Sequence, residues 1–222
     1  MNTLKLRNLL FKFDNKENYF FNNFSFDIST GLTFIKGSNG SGKSTLFRLI
    51  TGNIDPTEII SGSIVLNNKI YDLESKSDRL ELSSKIMLIP QNYNEMLADK
   101  FTGLENLQFA KFAKYPKLNF YSSKINNLSI LENFGIPLDK PVSLLSGGQK
   151  QILSIFMALE KNPNVVLLDE PTATLDDNNA KIVMTFLKNL ISKNNIIVLC
   201  ICHDQNIIEM HQDKSFEINK RL

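Results

Sequence analysis

The chain has 222 residues, 42% hydrophobic and 22% charged, with 10 Gly and 7 Pro. That composition excludes a disordered or collagen-like chain and is long enough for a core of its own. Its 25 basic and 23 acidic residues leave a net charge of +2, so no nucleic-acid footprint is announced and no nucleic acid is expected as partner. No run approaches the ~18 apolar residues of a membrane span; the best is Ile196 to Cys202. Met1 to Leu10 lacks the apolar stretch of a secretory signal, and two cysteines cannot build a disulfide framework. The chain reads as a soluble, intracellular globular protein. Only Arg7, Arg48, Arg79 and Arg221 supply arginine, while Asn and Ile abound, a pattern that reads as coding bias. It makes Asn-x-Ser matches at Asn23, Asn39 and Asn127 cheap, and without a secretory signal they are not read as glycosylation sites.

Short strands are predicted first: Leu4 to Phe13, Phe24 to Ile28 and Leu32 to Ile35, rich in β-branched and aromatic residues between Asn, Asp, Ser and Gly. The segment Gly37-Ser38-Asn39-Gly40-Ser41-Gly42-Lys43-Ser44-Thr45 follows the third strand and opens a helix through Leu46 to Ile50. It fits G-x-x-x-x-G-K-[ST], a loop whose glycines let successive N–H groups face an anion while the helix N-terminus adds partial positive charge. Lys43 would reach the β- and γ-phosphates of a nucleotide and the Ser44 hydroxyl would join a Mg²⁺ shell. Ser63 to Leu66 then enters a tight turn at Asn67-Asn68.

From about Asn92 to Asn162 strand-like runs are missing, and Leu104 to Lys114, Tyr121 to Phe134 and Gly148 to Lys161 read as helices. An α-helical piece is therefore expected inside an α/β core. Its Phe101, Phe109 and Phe112 read as core; the other reading puts some of them in a groove that docks a membrane partner. Leu145-Ser146-Gly147-Gly148-Gln149 starts the last of these helices and, taken alone, is either a second anion site or a flexible cap.

Val165 to Leu168 and Ile196 to Ile201 are continuous apolar runs expected of buried parallel strands. Between them Ile182, Val183, Phe186, Leu187, Leu190 and Ile191 form a crossover helix stripe. The first run ends in Asp169-Glu170: Asp169 would hold Mg²⁺ through its water shell and Glu170 would polarise the attacking water. Cys200 and Cys202 are read as buried small hydrophobes rather than metal ligands, and His211 as a surface residue. No guanine-reading [NT]-K-x-D follows the phosphate loop, which favours ATP over GTP.

In this order the motifs resemble the nucleotide-binding domain of ABC (ATP-binding cassette) proteins over essentially the whole chain. They are the phosphate loop, Gln91 after a strand, Leu-Ser-Gly-Gly-Gln at 145–149, Asp169-Glu170-Pro171-Thr172, the turn Ala173-Thr174-Leu175-Asp176 and His203 after the next strand. The resemblance implies an α/β, RecA-like P-loop NTPase core at about 1–91 and 163–222, with an N-terminal antiparallel β subdomain and a helical subdomain inserted at about 92–162. It implies an ATPase subunit that binds ATP and Mg²⁺ at the cytoplasmic face of a membrane and energises a transmembrane permease subunit by ATP-driven pairing with a second cassette, identical or related. Phe13 falls where the family stacks an aromatic ring on adenine; a phenyl in place of the more usual tyrosine keeps the ring face that stacking needs.

The resemblance further implies that Gln91 contacts Mg²⁺ and water and links to the membrane partner. Ser146, Gly147, Gly148 and Gln149 resemble the signature that binds the γ-phosphate held by the other subunit. Asp176 falls on the loop that crosses the dimer interface, and His203 resembles the switch histidine at the γ-phosphate. Two departures are the uncharged run Gln151 to Leu159, where arginines are common, and the end at Leu222, so that no regulatory extension is expected. The rivals are a soluble cassette ATPase of cluster assembly, translation or DNA maintenance, and an ATP-gated clamp without hydrolysis. The single cassette and near-neutral charge stand against the first, and Glu170 and His203 against the second.

Overall fold

The computed structural model describes residues 2–14, 16–112, 128–211 and 214–218. An antiparallel sheet is built from β1 (Thr3–Lys12), β2 (Phe21–Ser29), β4 (Ile59–Leu66) and β5 (Lys69–Asp72), in the order β2-β1-β4-β5. A second sheet holds β3 (Gly31–Lys36), β6 (Ile86–Ile89), β7 (Val165–Asp169), β8 (Ile197–Ile201) and β9 (Lys214–Glu217), in the order β6-β7-β8-β3-β9, with every pairing parallel. The helices are α1 (Lys43–Ile50), α2 (Lys76–Ser83), α3 (Gly103–Phe112), α4 (Leu128–Asn133), α5 (Gly147–Leu159), α6 (Asp177–Asn194) and α7 (Gln205–His211).

The parallel sheet is buried on both faces, which is why its strands carry unbroken apolar runs. Val166, Leu168, Val198, Cys200, Leu32 and Phe34 point into one core, which they share with α5 and α6. Their neighbours Val165, Leu167, Ile197, Leu199, Ile201 and Ile35 point into the other, with α1 and the antiparallel sheet. Asn67 and Asn68 take left-handed backbone, φ 51° and 68°, and join Leu66 to Lys69 as the expected two-residue hairpin.

Gly62 of β4 also has positive φ, 114°, and a Cβ there would lie 2.7 Å from the Arg7 carbonyl oxygen and 2.9 Å from that of Asn8. Backbone cannot swing aside as a side chain can. Gly62→Ala is therefore expected to lose about 1–3 kcal/mol, read as a lowered melting temperature with ATP affinity unchanged in the folded fraction.

Several expectations need adjustment. The helix predicted at Leu104 to Lys114 is α3, whose described part ends at Phe112. Residues 121–127 of the helix predicted at Tyr121 to Phe134 lie outside the described residues, and α4 occupies 128–133 of it. Ile182 leaves the crossover stripe and is 41% exposed, because it sits at the margin of the buried arc of Ala180, Val183, Met184 and Phe186. Phe101 and Phe109 are not core: they are 44% and 45% exposed and pack edge to face on each other at 5.2 Å. The side chain of Phe112 lies outside the described residues. His211 is not a free surface residue either. It ends α7 partly buried, both ring nitrogens lack a hydrogen-bond partner, and burial lowers its pKa. Cys200 and Cys202 are buried, as expected, and burial raises both thiol pKa values.

Candidate nucleotide site

The parallel topology decides where chemistry can gather. Every strand of the second sheet runs the same way, so the segments leaving their carboxyl ends meet along one edge. The phosphate loop leaves β3, the stretch to Gln91 leaves β6, Asp169 and Glu170 end β7, and His203 leaves β8. Residues far apart in sequence are thereby brought to a common rim.

Residues Gly37 to Gly42 form the loop, with Gly40 and Gly42 at φ 77° and 99°, and α1 begins at Lys43. Gly42 is the residue before the helix and offers no side-chain cap, which leaves the first amide groups of α1 open to an anion. Lys43 is buried in the loop's curl and its Nζ donates to the carbonyls of Gly37 at 2.8 Å and Ser38 at 3.1 Å. The Ser41 hydroxyl is buried without a partner. The Ser44 hydroxyl faces the Asp169 carboxyl closely enough to favour its ionised form. Burial pushes the pKa of Asp169 up, Glu170 pushes it further, and Ser44, Lys43 and His203 act against them.

Glu170 stands in left-handed backbone at φ 51°, its N–H donating to the Ile201 carbonyl at 3.0 Å. The carboxylate is held from two sides: Gln91 Nε2 donates to Oε2 at 3.0 Å, and His203 Nε2 lies 3.1 Å from Oε1. Gln91 and His203, which the family resemblance names, therefore both touch Glu170, the carboxylate at the strand end. Oxygen donors of Ser44, Asp169 and Gln91 are of the hard type that suits Mg²⁺. Among the described residues no group of three or more His, Cys, Asp and Glu forms a metal cluster, Cys200-Ile201-Cys202-His203 included.

The signature is placed differently. Ser146 precedes α5, accepts from the Gln149 N–H at 3.3 Å, and donates its own N–H to Gln149 Oε1 at 3.0 Å, a reciprocal cap. Gln149 Nε2 also donates to the Gly135 carbonyl at 2.8 Å. These side chains hold their own helix end and the loop after α4, and among the described residues no hydrogen bond joins them to the phosphate loop. Instead the start of α5 packs on the start of α6. Asp176 accepts from the Asn179 N–H at 2.9 Å and its amide at 2.6 Å, the backbone bond being the larger cause of its lowered pKa. A Cβ on Gly148 would lie 2.5 Å from Asn179 Oδ1, and one on Gly147 would lie 3.2 Å from the Tyr93 hydroxyl. A side chain at Gly148 would therefore force Asn179 to move, whereas at Gly147 the Tyr93 hydroxyl need give only a few tenths of an ångström.

Phe13 follows β1 half-buried, with Phe11 edge-on at 4.8 Å and Phe20 edge-on at 5.2 Å. Sequence reasoning missed Phe20, Tyr93 and Asn179. Asn179 was reachable, because Asp-x-x-Asn is a capping spacing. Contacts of Phe20 and Tyr93 cross between elements and leave no local signal.

The family profile described as ABC transporter matches residues 21–173. An ABC transporter ATP-binding protein of Onion yellows phytoplasma is 33% identical over 206 residues, and the chain spans about a third (34%) of that relative's length and aligns over 92% of its own. The lipoprotein-releasing system ATP-binding protein LolD of Treponema denticola is 35% identical over 206 residues, 90% of this chain and 87% of that protein. Among solved structures, cbiO1 from Clostridium perfringens, part of the ABC transporter complex cbiONQ, superposes with TM-score 0.82 at 28% identity, covering 98% of this chain and 84% of that one.

Proposed function

The chain belongs to the ABC transporter family, as an ATP-binding, ATP-hydrolysing subunit, and we propose that it works by closing on a second cassette around ATP and passing that closure to a membrane-spanning partner. The observation that carries this reading is the shared rim of the parallel sheet, where Glu170 is gripped by Gln91 and His203 beside the phosphate loop. Among the described residues no helix is long and apolar enough to cross a membrane. A transporter subunit built this way acts from the membrane surface, on the cytoplasmic face where ATP is available.

In this reading the loop amides and Lys43 bind the β- and γ-phosphates, Lys43 exchanging the Gly37 and Ser38 carbonyls for phosphate oxygens. Ser44, Asp169 and Gln91 would hold Mg²⁺, which supplies charge neutralisation at the phosphates. Glu170 takes the role of general base on the attacking water, and His203 orients Glu170 and faces the γ-phosphate. Phe13 offers its ring face to the adenine. Ser146 and Gly148, with Asp176 beside them through Asn179, form the half-site presented to ATP bound by the other cassette.

That division leaves a lone cassette with half a site, and dimerisation should follow the γ-phosphate. With a slowed-hydrolysis Glu170→Gln variant and its native partner present, light scattering is expected to show the dimer mass with Mg-ATP and the monomer mass with ADP. Equal masses would count against a signature-completed site.

A further inference from the structure

We propose that Phe20 is a positioning residue of the nucleotide site, fixing the Phe13 ring relative to the phosphate loop so that base and phosphates are engaged together. The inference rests on the reading of Phe13 as the base-stacking residue.

Phe20 is tied down at its backbone, where its N–H donates to the Phe11 carbonyl at 2.7 Å. Its ring then meets the site from two directions. It packs edge to face against Phe13, with centroids 5.2 Å apart and planes at 75°. It also lies directly against Gly42: a Cβ on that glycine would be 2.3 Å from Phe20 Cε1 and 2.9 Å from Cζ. Gly42 is the left-handed residue from which α1 starts, so one phenyl ring spans the gap between the base-side aromatic and the turn that aims the phosphate-binding amides. Phe21, 5.1 Å away and perpendicular, backs the ring from the β2 side.

The physical content is orientational. A phenyl ring stacks on a base only where its face is presented, and the neighbours packed near-perpendicular to Phe13, Phe11 at 79° and Phe20 at 75°, set how that ring is turned. Removing the Phe20 ring frees Phe13 to turn, and the stacking contribution is then partly lost while the phosphate contacts remain.

The test uses the full chain and two probes, Mg-ATP and Mg-tripolyphosphate, titrated calorimetrically. Phe13→Ala is expected to weaken ATP about tenfold and to leave tripolyphosphate unchanged. Phe20→Leu, which keeps bulk against Gly42 without a ring, should weaken ATP by a similar factor, again with tripolyphosphate unchanged, and Phe20→Tyr should restore ATP affinity. Phe20→Met stands in should Phe20→Leu fail to fold. The double variant should be no weaker than Phe13→Ala alone, because Phe20 acts through Phe13. Equal loss for both probes in Phe20→Leu would reduce the ring to a prop of the loop and overturn the inference. So would additive losses in the double variant. ATP affinity lost in Phe13→Ala and intact in Phe20→Leu overturns this inference alone. If neither variant moves ATP affinity, the stacking role of Phe13 falls first and takes the inference with it.

Discussion

Lys43→Ala should lose tight Mg-ATP binding outright. The Lys43 ammonium is buried in the curl of the loop and held by two carbonyls, so it is preorganised at the centre of the proposed phosphate site. A hydrogen bond to a charged group contributes about 1.5–3 kcal/mol, and each 1.4 kcal/mol is about tenfold, so one lost phosphate contact alone predicts roughly a 10–100-fold weaker affinity. A second effect has the same sign. The Lys43 charge is one of the influences that lower the pKa of Asp169 against burial and Glu170, and without it that carboxyl is harder to ionise and a poorer holder of Mg²⁺. Titration of ATP against the parental chain and the variant checks this. Unchanged affinity and unchanged phosphate release would remove the phosphate-loop assignment.

Glu170→Gln should separate binding from chemistry. The amide keeps the shape of the carboxylate and can still accept from Gln91, but it has no charge with which to polarise water. General-base assistance amounts to about 10²–10⁴-fold, roughly 3–5 kcal/mol of barrier, and phosphate release under saturating ATP should fall by that factor. ATP affinity should change little, since Lys43, Ser44 and Asp169 are untouched. His203 now faces an amide rather than a carboxylate at 3.1 Å, and its orienting contact weakens. Near-parental turnover in this variant would mean that Glu170 is not the catalytic carboxylate.

Sequence alone made legible what is encoded in runs. The strand, glycine loop and helix from Leu32 to Ile50 carry their signals within a few residues, and β7 and β8 declare themselves by continuous apolar runs. Elements that bury little went unseen. α2 buries only Leu82, so no helical stripe exists to find, and β9 has a single half-buried residue, Phe216, on an edge where pairing with β3 rather than side-chain pattern makes the strand. Phe101 and Phe109 were misread because an apolar side chain says only that burial is favourable, not that a partner lies within the same chain. In the site itself the charged residues were legible from motif order. The way Glu170 is clamped by Gln91 and His203 follows from the pairing of β6, β7 and β8, and the way Phe20 bears on Gly42 from the packing of the antiparallel sheet against the phosphate loop, neither of which a local window contains.

The left-handed backbone at Glu170 has a consequence for stability. A non-glycine side chain in such a conformation carries a strain of about 1–3 kcal/mol, and here the burden falls on the residue read as the catalytic base, at φ 51°. Glycine or asparagine would sit there more comfortably and leave the sheet intact. Stability and turnover therefore pull in opposite directions at this one position. Replacing this glutamate by asparagine would therefore relieve the backbone while removing the carboxylate proposed to activate water, so the steadier chain would be the slower one.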